Sequence, residues 1–282
     1  MRTNKFKPSI ILFLFIAFSS VLSAQNGDPI FIIGHPPPDI MVYIGAGSNS
    51  PSTKAKDDAY ATNTIGFDAN VFVSVIKKKN FSFGFNGGGE YFSSNKDPLK
   101  TLPNPFHVIG ETSSIVSSSG KSKQQSFNVG AGPQANFYLG KHIIVSPIFL
   151  VGYMSLTQNA FSATQTTVID DNTSNYNLLS QTQTKTNGLA LISKLRLQYF
   201  LNRRIGFWAE TNYTMGPIIK NTVNTFIPQG TPDNNGQYEF DQLQNGTTKT
   251  EIRQTKFGSF GVHVGVMFGI ALDRMGIPNK SE

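Results

Sequence analysis

The most constraining feature of this chain is the alternation of apolar and polar residues in stretches of about ten residues. In the clearest stretch, residues 64–76, every second side chain is apolar: Ile65, Phe67, Ala69, Val71, Val73 and Val75. An alternation with a period of two places one set of side chains on each face of a β-strand. A tilted strand needs roughly 9–11 residues to cross a bilayer, and these stretches have about that length. The sequence therefore predicts strands of membrane-spanning length, each with one apolar and one polar face.

The start of the chain has the composition of a secretory signal peptide. Arg2, Lys5 and Lys7 precede an apolar run from Ser9 to Leu22, and the small residues Ser23-Ala24 follow it. The apolar run is shorter than the roughly 18 residues that a membrane-spanning helix needs. We therefore expect residues 1–24 to direct export and residues 25–38 to form a short periplasmic lead.

Composition and charge exclude several kinds of partner. The chain contains no cysteine, which excludes disulfides and a lipid-modified cysteine after the signal. Removing the three basic residues of the signal leaves 21 Lys and Arg against 17 Asp and Glu, a charge of +4. A charge this small does not indicate a nucleic-acid partner. The glycine runs lack the strand-to-helix context of a phosphate-binding loop, and no cofactor is expected.

Eight strands are predicted when alternation and turn residues are followed together. They cover approximately residues 39–47, 64–76, 80–92, 126–138, 142–154, 187–200, 205–216 and 256–271. The connections alternate between three tight turns (77–79, 140–141, 201–204) and four long loops (48–63, 93–125, 155–186, 217–255). Outer-membrane barrels have short periplasmic turns and long outer loops. The fold predicted for residues 39–272 is therefore an all-β, eight-stranded antiparallel up-and-down transmembrane β-barrel, with residues 273–282 as a periplasmic tail.

These features together resemble small bacterial outer-membrane β-barrels of the OmpA/OmpX type, the outer membrane protein beta-barrel domain family. The resemblance covers roughly residues 39–272. It implies an exported protein of the cell outer membrane whose own strands hold it there, with outer-membrane lipids as its partners. One feature departs from the family. Such barrels commonly end on an aromatic residue, whereas this chain continues through Asp273-Arg274 to Glu282. The last strand is therefore expected to end near Phe268 or Ile270.

Ionisable side chains fall on the face of the strands opposite to the apolar one: Asp68, Glu90, Lys194, Arg196, Glu210 and His263. A Lys or Arg facing lipid at mid-membrane would cost about 2–4 kcal/mol, so these residues are expected to face the lumen. An eight-stranded barrel is just wide enough for side chains to fill it. The sequence therefore predicts a network of buried ion pairs that plugs the lumen. The alternative hypothesis is a narrow or gated ion path through the same residues.

The function that the sequence favours is non-enzymatic. The barrel would present its outer loops for surface interaction, envelope integrity or accessory work beside a secretion complex. One alternative is a narrow ion or small-solute pore. Another is a lipid-modifying enzyme that uses Ser259 and His263 near Glu210 or Glu90. The sequence contains no nucleophile motif, so this alternative depends on geometry alone.

The long loops are polar and rich in turn residues. Stretches such as 164–167 and 181–184 can extend the strands above the membrane, where exposed edges can recruit a partner strand. The acidic clusters 170–172 and 233–236 lack the ligand spacing of a calcium loop. They are interpreted as turns, because Asn, Asp and Gly favour turns, and no metal is expected.

Overall fold

The computed structural model describes residues 37–59, 61–78, 80–95, 104–120, 123–202 and 204–271. The predicted signal peptide, nearly all of the predicted lead and the predicted tail lie outside these residues. Two short helices are present, α1 (Thr53–Ala59) and α2 (Phe240–Gln244). The strands are β1 (Ile40–Pro51), β2 (Thr64–Lys78), β3 (Phe81–Asn95), β4 (His107–Val108), β5 (Glu111–Ser119), β6 (Lys123–Leu139), β7 (Ile143–Gln158), β8 (Phe161–Ile169), β9 (Asn172–Gln181), β10 (Thr184–Phe200), β11 (Ile205–Ile227), β12 (Gln237–Tyr238) and β13 (Thr247–Ile270). No helix in these ranges has the length and apolar character needed to cross a membrane.

Eight of the strands pair in a closed antiparallel cycle. Following the chain, β1, β2, β3, β6, β7, β10, β11 and β13 each pair with the strand before and the strand after. The first and last strands pair with each other, so that Ile40 lies opposite Ile270 and Pro51 opposite Ser259. The predicted all-β antiparallel architecture is confirmed, and each of the eight predicted segments lies on one strand of the cycle.

The tight turns lie where the sequence predicted them, whereas the strands extend further at the long-loop ends. Strand β11 continues to Ile227 and β13 begins at Thr247, although predicted bounds were 205–216 and 256–271. The two extensions pair with each other from Ile218 opposite Lys256 to Ile227 opposite Thr247. The prediction stopped early because the extensions carry many polar residues, so the apolar alternation ends while the backbone ladder continues. At the other end, β13 stops at Ile270, one of the two predicted positions.

The cycle is inside-out compared with a soluble protein. Its outward side chains are apolar and exposed; Ile65 and Phe67, for example, are exposed by 74% and 61%. The six ionisable residues predicted for the opposite face are buried together with polar neighbours on that face, each with 4% exposure or less: Asp68, Asn70, Asn86, Glu90, Asn128, Gln134, Asn136, Lys194, Arg196, Gln198, Glu210, Asn212, Ser259 and His263. The alternation therefore assigned both faces correctly.

The interior also holds two apolar clusters that the sequence analysis missed. One lies toward the tight turns and contains Met41, Tyr43, Phe72, Tyr138, Ile144, Phe200, Trp208 and Met267. The other lies toward the long loops and contains Ile148, Leu150, Met154, Leu156, Ala190, Ile192, Ile219 and Phe257. They were missed because strands such as β7 are apolar on both faces, which hides the inward set. The buried charges lie between these two clusters.

Beyond the cycle, the long loops fold into a structure that we call the outer lobe. The hairpin of β8 and β9 joins β11 through β9, and β5 joins β8, so the sheet continues as β11-β9-β8-β5. With β4, β12 and α2, this sheet encloses a small core of Val108, Tyr176, Leu178 and Leu243. All of these segments lie in the predicted long loops, of which only stretches such as 164–167 and 181–184 were expected to extend the strands. Their Ser, Thr, Asn and Gln content gives little hydrophobic signal of strands.

The two acidic clusters are turns, as predicted. Asp170 and Asp171 have φ angles of 46° and 63° and form the two-residue connection between β8 and β9. Two consecutive residues with positive φ are typical of the tight hairpin turn that matches strand twist. In the second cluster, the Asp233 carboxylate accepts hydrogen bonds from the backbone N–H groups of Asn235 and Gln237.

Candidate functional site: a buried charge cluster in the barrel interior

The structure brings all six predicted ionisable residues together in the interior. The strand register explains why these six residues lie close together. Asp68 lies opposite Glu90 across β2 and β3. Arg196 lies opposite Glu210 across β10 and β11, and Glu210 lies opposite His263 across β11 and β13. Lys194 precedes Arg196 by two residues, so both side chains point into the lumen. Five strands from around the cycle therefore contribute to one cluster.

Glu210 is the centre of the cluster. Lys194 Nζ donates to Glu210 Oε1 at 2.9 Å. Arg196 Nε donates to Glu210 Oε2 at 2.8 Å, and Arg196 Nη2 lies 2.7 Å from the same oxygen. Lys194 Nζ also lies 2.6 Å from Glu90 Oε1, so it bridges the two glutamates. Buried charges are tolerated when they are paired and hydrogen-bonded in this way.

Asp68 and His263 form the other side of the cluster. His263 Nδ1 lies 3.6 Å from Asp68 Oδ1 and 3.5 Å from Glu210 Oε1. Asn70 Nδ2 donates to Asp68 Oδ2 at 2.9 Å, so an amide hydrogen bond also holds this carboxylate. On the far side of the imidazole, Asn212 Nδ2 lies 3.1 Å from His263 Nε2. Amide side chains thus lie beside the charges and donate to part of the network, while buried atoms such as Asp68 Oδ1 and Arg196 Nη1 have no hydrogen-bond partner among the described residues.

Aromatic rings hold the Arg196 guanidinium from the tight-turn side. Its central carbon lies 3.9 Å from the ring centre of Tyr43 and 4.7 Å from that of Trp208. Such cation–π contacts strengthen when the cation is removed from water. Trp208 fits because Gly45 faces it; a Cβ at Gly45 would overlap the indole ring. The cluster is therefore packed as well as paired.

The donor set could in principle attract a cation, since Asp68, Glu210 and His263 offer ligand atoms within 4.8 Å of one another. Both oxygens of Glu210 are already engaged by Lys194 and Arg196. A divalent ion would lie beside two permanent positive charges and would compete with them for the same carboxylate. The contacts therefore favour an internal ion-pair network over a metal centre.

The hydrolytic alternative is not assembled by this geometry. Ser259 and His263 share a face of β13, but they lie four positions apart in the sequence, which corresponds to about 13 Å along a strand. A nucleophile and its base must lie within hydrogen-bond reach, about 2.6–3.2 Å. The His263 ring instead contacts Asn49, Asn212 and the acids of the cluster.

A closed antiparallel cycle with an apolar exterior and charges inside defines the class of β-barrel membrane proteins. Neither a protein-family model nor a curated protein sequence matches this chain. Among solved structures, it is similar to Ail of Yersinia pestis, with 12% identity and a TM-score of 0.38 over 82% of this chain and 99% of that one. It is also similar to OprG of Pseudomonas aeruginosa, with 10% identity and a TM-score of 0.40 over 86% of this chain and 100% of that one. A third similar structure is the outer membrane protease OmpT of Escherichia coli, with 8% identity and a TM-score of 0.33 over 83% of this chain and 97% of that one.

These neighbours are outer-membrane β-barrel proteins, in agreement with the predicted resemblance to the OmpA/OmpX type. The identities and TM-scores are low, and the likeness concerns the general arrangement of strands.

Proposed function

We propose that this protein is a non-enzymatic, integral outer-membrane β-barrel whose eight strands anchor a folded outer lobe at the cell surface. The observation that carries the proposal is the filled interior. The ion-paired cluster around Glu210 lies between two apolar clusters, one toward each end of the cycle. A cylinder packed in this way serves as an anchor, and the surface available to partners belongs to the lobe.

The outer face of the cycle supports a membrane location. From the tight turns to the long-loop ends, the described outward positions carry apolar or small polar side chains, and charges such as Lys78 and Lys220 lie at the ends. Rings occur near both ends, for example Tyr199 and Phe207 toward the turns and Tyr213 toward the loops. Aromatic girdles that flank an apolar band are typical of outer-membrane barrels. In this proposal the turns are periplasmic and the lobe is outside the cell.

The outer lobe supports a role in binding other proteins. It continues the sheet of the barrel and has its own buried core, with Tyr176 and Leu178 at its centre. A surface built on a sheet keeps its shape, which favours recognition because less conformational entropy is lost on binding. Surface proteins or components of a secretion complex are the partners that we propose, and a contribution to envelope integrity is compatible with the same anchor.

A pore is the competing function, because a polar layer crosses the middle of the interior. Ions could pass only if the two apolar clusters separated, and wide channels need more strands than eight. Recording current across a planar bilayer distinguishes the two functions. We expect the purified protein to show no steady conductance. A current that changes when Lys194 or Arg196 is neutralised would replace our proposal with a narrow pore.

The membrane assignment is tested by fractionating the envelope and comparing the migration of heated and unheated protein in gels. We expect recovery with the outer membrane and a shift in migration on heating, because a closed barrel resists the detergent until heated. Recovery in the soluble periplasmic fraction would overturn the proposal.

A further inference from the structure

A groove runs along the outward face of β11, between β10 and β13. Its floor is formed by the small side chains of Ala209 and Thr211. The register places Leu197 and Val264 on either side of Ala209, and Leu195 and Val262 on either side of Thr211. Two larger residues on the same strand, Phe207 and Tyr213, flank these floor residues along β11. They lie six residues apart, which corresponds to about 20 Å along a strand.

The groove consists of two connected parts. The part toward the tight turns has a volume of about 490 Å³, and the part toward the loops has about 340 Å³. Both parts are lined by Leu197 and Ala209, so they are continuous. Glu210 and Arg196 contribute only backbone here, because their side chains point into the lumen. The groove is therefore an open depression along β11 that is lined by side chains without charge.

The shape and chemistry select one kind of occupant. The groove lies within the apolar outer face of the cycle, so it is continuous with the surface that meets lipid in the proposed function. It is about one residue wide, and with the strand tilt of about 35–45° its length of about 20 Å spans roughly half of the 30 Å thickness of a hydrocarbon core. A single extended hydrocarbon chain fits such a track, because it can contact the larger side chains on both sides of the small floor residues.

The larger part of the groove lies toward the tight turns, which are periplasmic in the proposed function. Arg204 is exposed in the turn just before β11, beyond Phe207. A basic side chain at this level attracts an anionic headgroup. We propose that the groove over Ala209 and Thr211 binds one acyl chain of a phospholipid of the periplasmic leaflet. This inference depends on the proposed membrane location.

The test uses the protein purified from outer membranes in mild detergent and native mass spectrometry to count and identify retained lipids. We expect the wild-type chain to keep one phospholipid. Filling the groove with Ala209→Leu and Thr211→Leu should abolish this retention. Ala131→Leu is the matched control, since Ala131 is an exposed outward residue of β6, distant from the groove. It should keep the lipid.

A second readout uses Trp208, the single tryptophan of the chain, whose residue lines the groove while its side chain is 3% exposed. Phospholipids brominated along the acyl chain quench tryptophan fluorescence at short range. In vesicles, quenching should fall in the filled variant and stay unchanged in Ala131→Leu.

Each other outcome overturns the inference. Retention of lipopolysaccharide would assign the groove to the other leaflet. A wild-type dimer without lipid, dissociated by the filled variant, would assign it to a second barrel. Wild-type protein that migrates as a heat-modifiable barrel but retains no lipid would overturn the acyl-chain site alone. Recovery in the soluble fraction would overturn the proposed function as well.

Discussion

In the barrel interior, one residue, Glu210, connects several of the buried charged side chains. Glu210 accepts both the Lys194 and the Arg196 ion pairs, and it also lies beside His263. A buried ion pair costs desolvation when it forms, but removing one partner is worse because the other charge remains buried and unpaired. The consequence is that Glu210 should matter far more to stability than an exposed acid with a similar ion pair.

We predict that Glu210→Gln lowers the free energy of unfolding by about 3–5 kcal/mol, because it leaves Arg196 and Lys194 without their shared carboxylate. Urea unfolding in lipid vesicles, followed by Trp208 fluorescence, measures the change. The control is Glu251→Gln, which removes the exposed pair with Arg253 at 3.1 Å. It should cost about 1 kcal/mol or less. Equal effects of the two variants would contradict the central position of Glu210.

Glycines in β1 give the second prediction at this scale. A Cβ at Gly47 would overlap the His263 ring and the Val262 carbonyl oxygen. Gly47→Ala should therefore destabilise the barrel by about 1–3 kcal/mol, as overpacking of a tight interior does. At Gly87 the nearest atoms to an added Cβ lie 3.8 Å away. Gly87→Ala should leave the unfolding free energy unchanged or slightly higher; a loss as large as that of Gly47→Ala would exclude the steric explanation.

Among the elements, the paired strands β11 and β13 link the membrane and the surface. They run together through the barrel and then continue into the outer lobe, with an irregularity between Met215 and Ile218. Strand β9 joins this extension at Val223, Asn224 and Thr225. The lobe therefore extends from one side of the barrel, and the hairpin of β8 and β9 connects β11 to the edge strand β5.

The turn of that hairpin gives the prediction at the element scale. Asp171 has a φ of 63°, a conformation that a β-branched residue adopts only with strain. Asp171→Val should weaken the hairpin by about 1–2 kcal/mol, whereas Asp171→Gly should preserve it. Hydrogen exchange of the β8 and β9 amides measures the change. Thr173→Val, at an exposed strand position, is the control and should leave exchange unaffected. Faster exchange in the glycine variant would contradict the explanation.

For the whole molecule, the barrel and the lobe have separate cores. The ring of eight strands closes without β8 and β9, and β9 pairs with it at the extension of β11. The lobe core around Tyr176 and Leu243 is likewise distinct from the two apolar clusters of the interior. The barrel should therefore tolerate damage to the lobe.

We predict that replacing residues 160–182 with a short Gly-Ser linker leaves membrane insertion and heat-modifiable migration intact. The remaining lobe should become sensitive to protease added to whole cells, because the linker removes Tyr176 and Leu178 from its core. Gel migration and surface proteolysis measure the two effects. If the shortened chain no longer inserts, then the lobe is part of the barrel's folding unit and the separation proposed above is wrong.

Much of the barrel could be predicted from the sequence. The period of two decides which side chains share a face, because successive residues of a strand point in opposite directions. That local rule separated Phe67 from Asp68 and Leu195 from Arg196, and the turn residues predicted the order of strands. It also predicted that the six ionisable residues of the cluster face the lumen, since charged side chains avoid the lipid-facing side.

The remaining features depend on tertiary structure. The pairing of charged side chains, such as Lys194 with Glu90, follows from the closure of the cycle. Closure brings residues of strands that are distant in the sequence to the same level of the barrel. The apolar clusters were hidden because strands that are apolar on both faces show no alternation. The outer lobe was hidden because its strands are polar, and only their pairing with β11 makes them a sheet. Alternation is a property of neighbouring residues, and the sequence determined it alone; pairing across the barrel needs the register and closure of the whole sheet, which only the fold decided.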